Sequence, residues 1–384
     1  MSVLFLARWY PSKYDPMPGL FIQRHAEAVA LHADVSVVYP HAIQEKGDHL
    51  FEVNTGEVHG VFTVRVFYHV PESANLFTKS YRFFKAVNLG VQEVVKKKGS
   101  FQLIHVNVLT RLGFAALYYH WKFKIPYLIT EHWTRYLKPF PFKNRIHKWI
   151  SRWVVQKSAM VTTVSEDLTQ AMKNCSLRHR DYRVIRNVVA PFFYTFPLSE
   201  NRAKGKEFIH VSCFTDQQKN ISGLLRVIGR LAEVRDDFHF LLVGEGEDLE
   251  MLKQYARELK IPEKVLAFKG LLEGKALAET MSNADALVLF SNYENMPVVI
   301  NESLVLGVPV FSTRVGGISE IIDESNGRLV EKGDEQALVN LFIEFLNGQF
   351  SFDRKKIRED ALNSFSYETV GTQLVSYYQE ILNR

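Results

Sequence analysis

Short apolar runs alternate with longer amphipathic stretches along most of the chain. Residues 3–7, 35–39, 103–107, 127–130 and 160–164 have the length and composition of buried strands. Residues 20–31 and 76–98 carry helical spacing, and the second ends in Lys96, Lys97 and Lys98, where a helix dipole favours cations. Residues 51–53 and 61–68 flank the polar stretch 54–60 and read as a strand pair. The loop 8–19, between first strand and first helix, holds three prolines and Gly19. Residues 165–173 read as a short helix and 182–186 as a further strand. Six or seven strands alternating with helices predict one open, mostly parallel sheet.

The pattern then repeats. Residues 208–213, 238–243, 265–268, 286–290, 309–312 and 327–330 read as strands, and 335–346, 352–363 and 368–383 as helices. The fold class is therefore α/β, with two Rossmann-like domains, and 384 residues suit two domains. The polar, proline-containing stretch 190–205 reads as the linker.

The most informative stretch is 284–322. After the strand 286–290 comes the turn Ser291-Asn292-Tyr293, then Glu294-Asn295-Met296 and Pro297. Proline suits the first position of a helix, whose amide would have no intrahelical partner. That helix is predicted from Pro297 to Leu306, stopping at Gly307, with Glu302 about one turn in. A second strand, 309–312, leads to Gly316-Gly317 and another helix start. Two helix N-termini at the ends of adjacent strands can hold phosphate. Carboxylates beside a diphosphate are repelled unless they accept hydroxyl groups. A ligand with both features is a nucleotide sugar. Elsewhere in this half, Lys219-Asn220 is predicted to open a helix running to residue 234. A lysine there opposes the dipole's preference, which makes sense where it meets an anion. Gly244-Glu245-Gly246 follows a strand and precedes a helix from about Asp248.

Glu294 through Glu302, with Gly307-Val308-Pro309-Val310 and Gly316-Gly317…Glu320, resembles the donor-site signature of the retaining, group 1 glycosyltransferases of the GT-B fold, glycosyltransferase family 4. The resemblance implies two Rossmann-like domains facing across a cleft: 1–190, with a C-terminal helix at about 366–384 crossing back through Ser364-Phe365-Ser366, and 206–364. It implies that the second domain binds a nucleotide diphosphate sugar and that the first admits a glycan or lipid-linked acceptor. Glu294 would hold sugar hydroxyls and Glu302 the ribose. Lys219, with Asn220 beside it and the amides near Asn295, Met296, Pro297, Val298, Gly316 and Gly317, would stabilise the leaving phosphate. Gly19 resembles the family's first glycine loop, although the family often has two glycines there. Gly244 and Gly246 resemble its nucleoside-side loop, and 265–270 the segment whose backbone reads the base. His132, in Thr130-Glu131-His132-Trp133, resembles the histidine placed near the transferred sugar; a hydrogen-bonded structural histidine is the alternative, and Glu131 could orient it. Asn187-Val188-Val189 resembles the exit from the first domain. The family often has an arginine five residues before the lysine, where this chain has Phe214. Surface polysaccharide, lipopolysaccharide or lipid-linked oligosaccharide assembly is the implied setting.

Charge and composition sharpen the picture. Residues 1–195 hold 26 Lys and Arg against 13 Asp and Glu, while the remainder is acidic. The first half is thus suited to an anionic surface or substrate. Within it, 143–157 places Ile146, Trp149, Ile150, Trp153 and Val154 at helical spacing among Lys143, Arg145, Lys148 and Arg152. Such a helix suits either peripheral membrane contact or a domain core. The opening MSVLFLARWYP is too short for a signal-peptide core, and no apolar run spans a membrane. Two cysteines, Cys175 and Cys213, read as packing residues in a reduced, cytoplasmic setting. There is no zinc spacing and no Asp-x-Asp at a strand end, so no obligatory metal or other cofactor is expected. Four other classes compete with this one. A glycosidase needs two carboxylates flanking one bond. A nucleic-acid binder, suggested by the basic half, fits more poorly, because its basic residues are scattered and no recognition motif accompanies them. A GT-B sugar-nucleotide epimerase and a non-catalytic sugar-nucleotide-binding module share the architecture and differ in turnover.

Overall fold

Parallel strands need crossover connections, and the helices that make them cover both sheet faces, so each strand reads as a short continuous apolar run. The computed structural model describes residues 1–44, 49–137, 141–198 and 206–384. The chain divides into two compact units, Met1–Val188 with Tyr367–Arg384, and Val189–Ser366.

The first unit runs β1 (Ser2–Ala7), α1 (Leu20–Ala30), β2 (Asp34–Ile43), β3 (Phe51–Val58), β4 (Val61–His69), α2 (Leu76–Lys98), β5 (Leu103–Asn107), α3 (Thr110–Phe123), β6 (Tyr127–Glu131), α4 (Arg145–Lys157), β7 (Met160–Thr163), α5 (Glu166–Asn174) and β8 (Tyr182–Val184). Its sheet has eight strands, ordered β3-β4-β2-β1-β5-β6-β7-β8. All pairings are parallel except β3 with β4. That hairpin turns on His59-Gly60, both at positive φ, as a two-residue turn matching the strand twist requires. The stretch 54–60, read from sequence as a polar interval, is therefore mostly strand.

The second unit runs β9 (Lys206–Val211), α6 (Asp216–Lys219), α7 (Ile221–Ala232), β10 (Phe238–Val243), α8 (Leu249–Glu258), β11 (Leu266–Gly270), α9 (Gly274–Ser282), β12 (Ala286–Leu289), α10 (Val298–Val305), β13 (Val310–Thr313), β14 (Gly327–Val330), α11 (Glu335–Leu346) and α12 (Arg354–Phe365). Its order, β11-β10-β9-β12-β13-β14, is doubly wound, reversing direction between β9 and β12. Phe208, Phe240 and Phe342 meet in its core with ring centroids 4.8–5.3 Å apart. Cys213, expected to pack, is exposed; Cys175 is half-buried, and neither is bonded to the other.

The last helix, α13 (Tyr367–Leu382), belongs to the first unit. The Tyr367 hydroxyl donates to Glu27 Oε2 at 2.6 Å, and Gly371 leaves no room for a Cβ against the Ala28 backbone. Of the linker 190–205, Pro191–Thr195 forms a short 3₁₀ turn, and 199–205 lie outside the described residues.

Candidate active site

Ligands in open α/β sheets bind beyond the carboxyl ends of the strands where the order reverses. In the second unit those strands are β9 and β12. The loop after β9 carries Lys219 and the loop after β12 carries Glu294. The two side chains meet: Lys219 Nζ lies 2.6 Å from Glu294 Oε1, with 12% and 5% of the side chains exposed. Ser291 Oγ donates to the same oxygen at 2.8 Å. Among the described residues Oε2 receives only Gln218 Nε2 at 3.5 Å, the limit of a hydrogen bond, and so keeps capacity to accept a hydroxyl. Hydrogen bonds to and from its backbone hold the loop in place. Asn292 N donates to Gln218 O at 2.8 Å, and Thr313 Oγ1 to Ser291 O at 2.7 Å.

Lys219 does not open a helix. It ends the single turn α6, where the dipole favours a cation, and Asn220 at φ 50° breaks the chain before α7. The dipole at this position therefore gives no reason for an anion beside Lys219. What holds Lys219 is its part-buried contact with the Glu294 carboxylate. Asp216 takes the capping role, accepting from Ser222 N at 2.8 Å and Ser222 Oγ at 2.6 Å. Pro297 sits one position earlier than expected, as the N-cap of α10. Val298 and Val299 then open the helix, and their amides have no intrahelical acceptor. Glu302, four residues after Val298, lies on the same face and is buried. Asn295 and Met296 are also buried.

Gly316-Gly317 begins a 3₁₀ segment, Gly316–Glu320, in place of an α-helix. Gly316 has φ 54°, and a Cβ there would run into the Glu294 carbonyl. Gly317 N donates to Asn295 O at 2.9 Å, so that amide, expected to face phosphate, is already used; the Gly316 amide is the one left. Gly244 and Gly246 have similar duties: added carbons would meet the backbones of Ser212 and Phe214. Phe214 N in turn donates to Glu245 O at 2.8 Å. Phe214 itself is fully buried, its ring facing His210 and Phe268. An arginine in that rotamer would bury its charge in the core, so the missing cation has no substitute at this position.

In the first unit the order reverses between β1 and β5. Gly19 caps α1 at φ 82°, where a Cβ would strike the Trp9 backbone. His132 follows β6, its ring centroid 4.6 Å from Phe21 and 5.5 Å from His25. Burial, then the neighbouring His25 and His105, hold its pKa well below the usual histidine value, against a hydrogen bond with Asn187. The ring is thus neutral and suited to hydrogen bonding. Glu131 positions it through the backbone: Oε1 accepts from His132 N and Trp133 N at 3.0 and 2.9 Å, and Oε2 from Leu109 N at 3.0 Å. Burial pushes the Glu131 carboxyl up to about 7.

Sequence reasoning missed Ser291, Gln218 and Asp216. The last was findable as an acidic residue just ahead of an apolar periodic run; the others have no local signal. It also missed Val108, a buried β-branched residue at φ 74° just past β5. Backbone strain of this kind clusters at functional sites. Among the described residues, no three His, Cys, Asp or Glu side chains converge as a metal site.

Two Rossmann-like units with these site loops define a protein of the GT-B fold. Over its full length the chain resembles sucrose-phosphate synthase from Thermosynechococcus elongatus, with TM-score 0.78, 18% identity, and 100% and 99% of the two chains covered. It also resembles Anabaena HepE in complex with UDP-glucose, with TM-score 0.70, 19% identity, and 99% and 100% covered. Residues 196–363 match "Glycosyl transferases group 1" and residues 21–188 "Glycosyl transferase 4-like domain"; the chain belongs to the group 1 glycosyltransferase family. Among relatives, N-acetyl-alpha-D-glucosaminyl L-malate synthase of Bacillus anthracis is 26% identical over 60% of this chain and 62% of its own. Lipopolysaccharide 1,6-galactosyltransferase of Escherichia coli K12 is 26% identical over 50% and 54%. Both matches span less than two thirds of those relatives' length.

Proposed function

We propose that the chain is a retaining glycosyltransferase that moves a sugar from a nucleotide diphosphate sugar to a hydroxyl of a glycan or lipid-linked acceptor, in surface polysaccharide assembly. The observation that carries this reading is the Lys219–Glu294 pair, its carboxylate buried and its lysine part-buried, at the reversal of the second sheet, beside the open amides of α10. A buried ion pair is poor value as a stabiliser. As a ligand switch it is useful. A diphosphate draws Lys219 toward itself, and Glu294, released, accepts sugar hydroxyls. HepE's complex with UDP-glucose and the lipopolysaccharide galactosyltransferase among the relatives support the donor and the setting.

In the reaction the bond from the anomeric carbon to the diphosphate oxygen breaks with oxocarbenium character. The acceptor oxygen attacks the same face, and its proton passes to the departing phosphate. Lys219 and the amides of Val298 and Gly316 meet the growing negative charge, an electrostatic task in a dry site. Glu302 holds the ribose, and neutral His132 hydrogen-bonds the sugar. Transfer needs no obligatory metal. The chain works in the reducing cytoplasm, in keeping with its unbonded cysteines, and contacts a membrane peripherally through the segment 143–157. No helix among the described residues is long and apolar enough to cross one.

A thermal-shift panel of UDP, GDP, ADP and dTDP tests donor binding, since a bound ligand raises apparent stability by mass action. Product NMR with the responding donor then reads the anomeric configuration. An inverted product refutes retention, and no response to any nucleotide refutes the site.

A further inference from the structure

The apolar stripe of α4 is split. Val154 and Val155 are buried in the core, but Ile146, Trp149 and Trp153 stand in water with 69%, 64% and 45% of their surface exposed. Trp149 and Trp153 stack on each other at 6.2 Å. The core-face alternative therefore explains only half of the stripe. On the neighbouring α3, Trp121 is 78% and Phe123 52% exposed. A groove of about 1710 Å³ runs between α2 and α3, with mixed aliphatic and aromatic walls that include Val87, Val91, Leu117, Phe84 and Phe114, and reaches Trp153. Contiguous exposed apolar surface of this size marks an interaction site.

Charge says what kind. Lys and Arg number six on α2, two on α3 and four on α4, against the single carboxylate Glu93. A smaller pocket of about 490 Å³, lined by Arg178, His179 and Arg180, adjoins the groove, and His120 and Lys157 line both. Lys85, Lys122, Lys157, Arg178 and Arg180 have no carboxylate partner among the described residues. A cationic pocket opening beside an apolar groove, rimmed by exposed indoles, has the chemistry of a phospholipid: phosphate, interface and chain in order. Tryptophan favours the headgroup layer, and basic clusters favour anionic lipid.

We propose that the α2–α3–α4 face docks on an anionic lipid bilayer. Trp121, Trp149 and Trp153 enter the headgroup layer, an acyl chain occupies the groove, and the lipid phosphate meets Arg178, Arg180 and Lys157. This rests on the peripheral contact proposed above, widens it from one helix to three, and requires no transfer activity.

The test is flotation of the full chain with vesicles of phosphatidylcholine alone or mixed with phosphatidylglycerol, with tryptophan emission read alongside. The chain should float with the anionic vesicles, more weakly at high salt, and its emission should shift to the blue. Trp149→Ser/Trp153→Ser and, separately, Lys85→Glu/Lys122→Glu should each weaken partition at least tenfold. All four positions are at the surface, and an unchanged melting temperature checks the fold. The UDP thermal shift is measured in the same samples. A chain that floats but ignores nucleotides leaves docking intact and sinks the donor reading. No flotation, equal flotation with neutral vesicles, or variants that float like the parent overturn the proposal. So does a dimer in sedimentation that Trp149→Ser/Trp153→Ser dissociates.

Discussion

Replacing Lys219 with methionine removes the cation from a carboxylate that is 5% exposed. Breaking a buried pair from one side costs about 3–5 kcal/mol, because the remaining charge is left uncompensated. Here Ser291 still donates to Glu294 Oε1, which offsets roughly 1 kcal/mol. The expected loss for Lys219→Met is thus about 2–4 kcal/mol. The double variant Lys219→Met/Glu294→Gln removes both charges and should return to within about 1 kcal/mol of the parent, giving a large positive coupling in the double-mutant cycle. The readout can be localised. All five tryptophans, Trp9, Trp121, Trp133, Trp149 and Trp153, precede the second unit. Urea unfolding followed by far-UV circular dichroism should therefore show the change, while the tryptophan-emission transition stays in place. Donor affinity should also fall, since a charge-assisted bond to phosphate is worth about 1.5–3 kcal/mol, or tenfold to somewhat over a hundredfold. A Lys219→Met loss below about 1 kcal/mol, or additive single and double variants, would show that the pair is solvated and that its geometry carries no functional weight.

Glu302→Ala should weaken UDP binding by at least about tenfold, the worth of charged bonds to ribose hydroxyls, without lowering the melting temperature; unchanged UDP affinity in calorimetry removes the ribose role. Gly316→Ala forces a carbon into the Glu294 carbonyl, so donor turnover should drop at least about a hundredfold; a variant retaining parental kcat/KM contradicts the docking of these loops. Burial holds His25 and His210 down to about 4. The unfolded chain then binds more protons than the folded one, so their contribution is full above pH 6.5 and is lost as pH falls toward 4, amounting to about 2 kcal/mol each at pH 5. Glu131, pushed up to about 7, acts in the opposite sense and offsets only one of them. Urea midpoints should accordingly fall from pH 7 to pH 5, and a flat profile counts against the buried neutral imidazoles. Transfer should persist in excess chelator; complete loss restored by added divalent ion overturns the metal-free reading.

The one-dimensional pattern was enough for the architecture. Apolar runs of strand length, separated by helical spacing and turn residues, determined both sheets, and α2 begins and ends where its periodicity says. Local chemistry also marked Glu294, Glu302 and Gly316, because a polar turn after a buried strand and a glycine at positive φ leave local signatures. What sequence could not decide was pairing across distance. That Lys219 meets Glu294, 75 residues away, follows from the crossover that sets β9 beside β12. The same limit hid the true position of Lys219, since a left-handed Asn220 interrupts what reads as one helix. It also hid the internal use of the Gly317 amide and the inward turn of Phe214. On α4, helical spacing groups Trp149 with Val154, but only the packed neighbours decide which of them meets core and which meets water. Periodicity reports that a face is apolar; what covers that face is a property of the assembled layers, where burial and charge are settled jointly.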